Sequence, residues 1–308
     1  MQNAINNING CLRQAHDRQG QPLYDEREIR SITDLLLDEI CGISRVERIM
    51  HPGAILPTDQ RRHLEAVARD LQQGIPVQQA MGYAWFCGEK FRVTADTLIP
   101  RPETAELVQW IVDDTQQASP RICDIGTGTG CIAITLARLI HGAEVLAVDK
   151  SEAALSIARG NACQQHVDNI QFAQIDILEA ASHHRYDAIT NWLSTIYQPN
   201  VENTQKLDIV VSNPPYICQC EAAEMSDIVL QHEPALALFV PDNDPLLFYR
   251  SIAQWAWQIL KTGGLLYFEI NAAYGARTCA LLSELGYQHV QLRKDINGRD
   301  RMIRATHP

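Results

Sequence analysis

Apolar residues follow two different rhythms along this chain, and the change comes near residue 80. Before it, Ile29, Ile32, Leu35, Leu36 and Ile40 recur at steps of three and four, the period of one helix face. This predicts a helix from Glu28 to Ile40. Leu64, Val67, Ala68 and Leu71 predict a second from Thr58 to Gln73, capped by Thr58 and stopped by Gly74-Ile75-Pro76. Beyond residue 80, short continuous apolar runs replace the helical period. Tyr83 to Phe86 and Phe91 to Thr94 flank Gly88-Glu89-Lys90 and read as a hairpin. Seven more runs read as strands: Arg121 to Ile125, Ala143 to Asp149, Ile170 to Asp176, Leu207 to Ser212, Leu265 to Ile270, Val290 to Lys294 and Arg301 to Arg304. Helix-like stretches alternate with them, which predicts an α/β class and a doubly wound, mostly parallel sheet. The expected organisation is a small helical domain over 1–80, a hairpin linker over 81–98 and an α/β domain over 99–308. No internal repeat or low-complexity tract interrupts it.

Two of the predicted strands end in segments with chemical content. Arg121-Ile122-Cys123-Asp124-Ile125 runs into Gly126-Thr127-Gly128-Thr129-Gly130, and a helix-like run starting at Cys131 follows. Glycines at such a turn let a ligand approach the backbone, and the helix start offers free N–H groups. The next strand ends in Asp149, about 20 residues on, where an acid can accept from ribose hydroxyls. Together these features suit an adenosine-type cofactor. A dinucleotide loop would need glycine where Cys131 stands, and no His and Arg set for hydride transfer can be assigned downstream. The strand Leu207 to Ser212 ends in Asn213-Pro214-Pro215-Tyr216. Proline has no N–H, so this turn presents carbonyls, an asparagine amide oxygen and a tyrosine ring. Such acceptors suit a planar amine held by both of its hydrogens.

The alternating glycines, Asp124 and the later proline turn resemble the class I S-adenosylmethionine-dependent methyltransferases, whose fold is Rossmann-like. The resemblance implies S-adenosylmethionine as cofactor, with the loop passing its methionine moiety and Asp149 holding its ribose. Within that superfamily, an asparagine-proline-proline-tyrosine turn marks enzymes that methylate adenine, cytosine or a glutamine amide. Leu98-Ile99-Pro100-Arg101-Pro102-Glu103-Thr104, His232 to Phe239 and Gly263 to Ile270 narrow the choice. From about Met81 onward the chain resembles the peptide chain release factor glutamine N5-methyltransferases, which also carry an N-terminal helical extension of similar size. That resemblance implies methylation of the glutamine in a Gly-Gly-Gln loop, a protein-docking role for the N-terminal domain, and a closing antiparallel hairpin through Ile296-Asn297-Gly298-Arg299-Asp300.

The expected cofactor set is Asp124, Gly126, Thr127, Gly128, Thr129, Gly130, Asp149, Asp176 and Asn213. Asn213, Pro214, Pro215 and Tyr216 are expected to hold substrate, with Asn213, Pro214 and Tyr216 carrying catalysis and no metal involved. Arg101 and Glu103 either pair with each other or flank the site, His232 and Glu233 support a loop, and Glu269 is wall or structure. Two departures from the family stand out. His183 through Lys206 is longer than its usual short connection, and Asn191-Trp192-Leu193 with Gln198-Pro199-Asn200 reads as a surface elaboration rather than a lid. Ala105 stands where many relatives have a second acid, with Glu106 after it.

Composition trims the alternatives. A net charge of −11 and a pI near 5.3 are not those of a phosphate-tracking protein, which weighs against a DNA adenine N6-methyltransferase. No direct nucleic-acid partner is expected. Nine cysteines without paired spacing suggest neither a disulfide framework nor a metal site, and Cys218 and Cys220 form a lone C-x-C. The start is polar, and no apolar run reaches the roughly 20 residues of a membrane span, so a cytoplasmic enzyme is expected. A ribosomal-protein glutamine N5-methyltransferase would share the motifs. A non-catalytic binder of translation factors is opposed by intact Gly126, Gly128, Gly130, Asp149 and Asn213.

Overall fold

The strands Arg121–Ile125 (β3) and Leu207–Ser212 (β6) are buried at every position, because they lie side by side in the middle of a seven-stranded sheet covered by helices. The computed structural model describes residues 1–51, 53–196 and 206–308. Side chains of a strand alternate between faces. Accordingly Cys123, Ile125 and Val210 enter one apolar cluster, while Ile122, Ile209 and Val211 enter another. A strand buried on both faces is mostly apolar, and the buried polar side chains here have partners: Asp208 pairs with Arg121 at 3.2 Å, Asp124 accepts from the Thr127 hydroxyl and Ser212 donates to the Ile125 carbonyl.

The chain divides into two compact units, Met1–Tyr83 with Met225–His232, and Ala84–Glu224 with Glu233–Pro308. The return of eight residues to the first unit was not expected from the sequence. That unit holds α1 (Gln2–Arg13), α2 (Glu26–Cys41), α3 (Arg45–Met50), α4 (Thr58–Gln72), α5 (Val77–Met81) and the later α11 (Asp227–His232). A capping box starts α2: the Asp25 carboxylate accepts from the Glu28 N–H at 2.8 Å, and Glu28 accepts from the Asp25 N–H at 2.8 Å. Gly42, at φ 64°, ends it. Its buried face is Ile29, Thr33, Leu36 and Leu37, turned slightly from the predicted stripe, in which Ile32 and Ile40 are only half-buried. Leu64, Val67, Ala68 and Leu71 of α4 are buried as predicted. The cap position is Pro57 rather than Thr58, with no side-chain bond. Helix α1 lies in the stretch expected to be helical but was given no bounds from the sequence; burial of Ile8 and Leu12 within the apolar cluster of this unit offsets its weak helix formers.

The hairpin follows, β1 (Tyr83–Phe86) with β2 (Glu89–Arg92), and from Ala84 onward it belongs to the second unit. Its turn is Cys87-Gly88, both at positive φ, so the second strand starts two residues earlier than predicted. Then follow α6 (Pro102–Asp114), β3, α7 (Cys131–Leu139), β4 (Glu144–Asp149), α8 (Glu152–Gln164), β5 (Ile170–Gln174), α9 (Ile177–Ser182), α10 (Asp187–Ile196) and β6. After β6 come the short pair β7 (Ile217–Cys218) and β8 (Phe239–Val240), α12 (Ala235–Leu238), α13 (Leu247–Ile259), β9 (Leu260–Glu269), α14 (Gly275–Glu284), β10 (Gln288–Lys294) and β11 (Asp300–Thr306).

The sheet order is β10-β11-β9-β6-β3-β4-β5. Its parallel pairs run from β9 through β5, and β10 and β11 close it antiparallel. The chain steps outward from β3 to β4 and β5, then returns to β6 on the other side of β3. Connections therefore leave β3 and β6 in opposite directions, which opens a crevice at their carboxyl ends. The Ser212 hydroxyl donates to the Ile125 carbonyl at 2.7 Å and ties those ends together.

One expectation is corrected here. Asn191-Trp192-Leu193 is no surface elaboration: it lies in α10, whose Ile189, Trp192 and Leu193 are buried in the same cluster as Tyr249 and Trp255. The indole of Trp255 donates to the Arg185 carbonyl at 3.1 Å, just before that helix. Gln198-Pro199-Asn200 lies outside the described residues.

Candidate functional site

The crevice is a cavity of about 260 Å³. Gly126, Gly128 and Asp149 line one part of it, and Asn213, Pro214 and Pro215 another. Leu98, Ile125, Ile177, Leu178 and Phe248 supply apolar wall. All of these positions belong to the second unit.

The glycine loop divides its labour. Gly126, Gly128 and Gly130 have φ of 73°, 55° and 81°, where a side chain is strained. A Cβ on Gly126 or Gly128 would meet open space, so these two keep backbone accessible from the cavity. A Cβ on Gly130 would stand 2.8 Å from Ile134 Cδ1 and 3.1 Å from Ala158 Cβ, so this glycine serves close helix packing. The N–H groups of Gly126 and Thr127 both donate to the Val148 carbonyl, at 2.8 and 3.0 Å. Asn161 of α8, fully buried, donates to the Thr129 carbonyl at 2.9 Å. Nothing in the sequence singled out that asparagine.

The acids separate into three environments. Asp149 accepts from the Gly128 N–H and the Ser151 N–H, each at 2.9 Å, and keeps further lone pairs for hydroxyl donors. Burial raises its pKa against those bonds. Asp176 lines the cavity but caps α9, accepting from Leu178 N–H at 3.0 Å, and pairs with Lys150 at 2.8 Å. Asp124 is wholly buried beneath the loop, where its Oδ2 accepts from the Thr127 hydroxyl at 2.7 Å. Burial pushes its pKa up to about 7. Asp124, Thr127 and Thr129, all buried, do not line the cavity; they shape the loop from below.

Around the proline turn, side chains join into one network. Asn213 Nδ2 donates to Thr104 Oγ1 at 3.3 Å, Thr104 Oγ1 donates to Glu269 Oε2 at 2.6 Å, and the Tyr216 hydroxyl donates to Glu269 Oε1 at 3.2 Å. Glu269 is buried at the last position of β9, and that burial raises its pKa. Tyr216 packs against the central apolar cluster and does not line the cavity, and burial first of all pushes its phenol upward. Arg101 pairs with Glu233 at 2.6 Å rather than with Glu103, and Glu233 also accepts from the Ile99 N–H at 3.2 Å. Ala105 is half-buried against apolar neighbours, while Glu106 accepts from the Ile296 N–H at 3.1 Å. The contributions of Thr104 and Glu269 were missed as a pair because 165 residues separate them.

Cys218 is buried and Cys220 exposed, and no group of side chains suited to a metal ion occurs among the described residues. No described helix is long and apolar enough to cross a membrane.

Residues 117–267 match a methyltransferase domain family, and residues 22–82 match the PrmC N-terminal domain. The release factor glutamine methyltransferase of Bacteroides thetaiotaomicron is 41% identical over 98% of this chain and 100% of its own length. That of Flavobacterium psychrophilum is 40% identical, covering 92% and 94% respectively. Among solved structures, the hMettl16 catalytic domain in complex with MAT2A 3′UTR hairpin 6 superposes with a TM-score of 0.52 at 16% identity, over 80% of this chain and 81% of that one. That likeness supports the class I methyltransferase fold, and the sequence relatives go further: the chain belongs to the release factor glutamine methyltransferase family.

Proposed function

We propose that this protein methylates the side-chain amide nitrogen of the glutamine in the Gly-Gly-Gln loop of peptide chain release factors, using S-adenosylmethionine. The observation that carries this reading is the sharing of one cavity by Asn213-Pro214-Pro215, Asp149 and the open glycines Gly126 and Gly128. A ribose needs a carboxylate with lone pairs to spare, and Asp149 has them. The open backbone at Gly126 and Gly128 suits the rest of an extended cofactor. When bound, S-adenosylmethionine supplies a methyl group activated by its positive sulfur.

The remaining work falls to the chain. An amide nitrogen is a poor nucleophile because its lone pair is delocalised into the carbonyl. Holding both hydrogens in the amide plane directs that lone pair along one line, and such orientation can contribute several kcal/mol. Asn213 and Pro214 line the cavity, and the Asn213 Oδ1 and the Pro214 carbonyl are acceptors of the right kind. The proline adjacent to each carbonyl cannot offer an N–H in competition. Apolar wall from Leu98, Ile177 and Phe248 limits water around the amide. The amide proton is lost to solvent after transfer.

Incubating the protein with methyl-labelled cofactor and a release factor should label the Gly-Gly-Gln tryptic peptide. Cofactor binding without any label would refute the reading. In the same assay Asn213→Ala should lose roughly 100-fold or more in turnover, as expected for a lost orienting contact, while cofactor affinity stays within about threefold.

A further inference from the structure

A carboxamide can present either its oxygen or its NH₂ group to a cavity, and the two choices select opposite ligands. We infer that Thr104 and Glu269 are positioning residues that set this choice for Asn213, turning its oxygen toward the cavity. The inference rests on the reading of Asn213 as the acceptor for the substrate amide.

The argument is one of counting protons. Burial opposes the charge on Glu269, but a donor hydroxyl on each oxygen, Thr104 on Oε2 and Tyr216 on Oε1, and the nearby Arg301 favour the carboxylate, whose oxygens can only accept. Thr104 Oγ1, 2.6 Å from Oε2, must therefore spend its one proton on Glu269. A hydroxyl that has donated its proton can only accept from its other neighbour. That neighbour is Asn213, 3.3 Å away, so the group facing Thr104 has to be Nδ2H₂ and Oδ1 is left on the opposite side. The reversed amide would set two acceptors against each other with no proton between them, at a cost of about 1–3 kcal/mol for buried polar groups. The Tyr216 hydroxyl at 3.2 Å occupies the second Glu269 oxygen and so keeps the carboxylate from turning away from Thr104. Glu269 thus acts on the substrate only through two other side chains. The polarity it imposes fits a planar NH₂ donor, a carboxamide, and rejects a carboxylate of the same shape.

Threonine allows a clean separation of shape from proton. Thr104→Val keeps the shape and removes the hydroxyl, whereas Thr104→Ser keeps the hydroxyl and removes a methyl. The proposal expects Thr104→Val to lower kcat about tenfold or more, a change comparable with the loss of one hydrogen bond. Thr104→Ser should stay within about threefold of the wild type, and both variants should retain cofactor affinity. A merely structural threonine predicts the reverse order, because the core would feel the missing methyl more. Equal losses, a larger loss in Thr104→Ser, or wild-type kcat in Thr104→Val would overturn the inference. A second readout does not depend on turnover: the side-chain amide resonances of Asn213 in ¹⁵N-labelled protein should shift or double in Thr104→Val and not in Thr104→Ser. Unchanged resonances in Thr104→Val would refute the positioning role even if the wild type methylated no release factor. A wild type that transfers no label, with resonances behaving as expected, would instead refute the substrate.

Discussion

Asp124 illustrates how far a single residue's environment can separate it from its apparent role. Standing directly before the glycine loop, it looks like a cofactor ligand; in the fold it is fully buried with one hydroxyl donor. Its second oxygen, Oδ1, has no hydrogen-bond partner among the described residues. Such a group prefers its proton in the folded state. Its pKa rises from an ordinary 3.8 to about 7, so the unfolded chain binds fewer protons between these values. The favourable contribution is full below the unfolded value and is lost as pH rises through about 7. Melting temperature should therefore fall between pH 5 and 8, and Asp124→Asn should flatten that decline. Glu269 and Asp149, also raised, act in the same direction, so some slope will remain. Parallel profiles for variant and wild type would show that Asp124 is ionised at no cost.

At the scale of elements, the connection from β3 to α7 combines two requirements that the same residue type satisfies for different reasons. Gly130→Ala adds a strained left-handed residue and a clash with Ile134 and Ala158, and should cost about 2 kcal/mol or more in stability. Gly128→Ala adds only the strain, about 1 kcal/mol, because a Cβ there meets open space. Its larger effect should be on the cofactor, whose dissociation constant should rise about tenfold as the wall loses its open backbone. Denaturant melts and calorimetric titrations of the two variants would separate these effects. Equal losses in both measurements would mean that the loop acts as one structural turn. Helix α10 makes the complementary point about what lies within reach of a local reading. Ile189, Trp192 and Leu193 have helical spacing, yet they lie in a segment that looks like an insertion, and only the neighbouring Tyr249 and Trp255 show that they complete the core.

Across the whole molecule, the N-terminal unit includes Met225–His232, which follows the proline turn by fewer than ten residues and is linked covalently to Glu233, the anchor of Arg101. Ile228 packs on the apolar cluster of that unit, the Arg18 N–H donates to Asp227 at 3.0 Å, and Gln79 donates to the His232 carbonyl at 2.8 Å. Ile228→Ala should destabilise this unit by about 1 kcal/mol, since the side chain is only half-buried. Hydrogen exchange should then quicken in α1, α2 and α4 while β3 and β6 remain protected. Unaltered exchange in those helices would separate α11 from their stability.

Local pattern was enough to determine the order of the seven strands of the main sheet, the glycine loop, the acid at Asp149 and the Asn213-Pro214-Pro215-Tyr216 turn. Each of these depends on periodicity or on residue chemistry within a few positions, and such short-range effects are written along the chain. Only the tertiary structure decided that β3 and β6 are neighbours, so that two loops more than 80 residues apart in sequence share one cavity. It alone placed Asp124 behind the wall rather than on it, because burial is set by what packs across an element and not by the element itself. It also brought Thr104, Asn213 and Glu269 together from three distant segments. Hydrogen bonds between such segments have no periodicity to betray them, and they appear only once the sheet has closed.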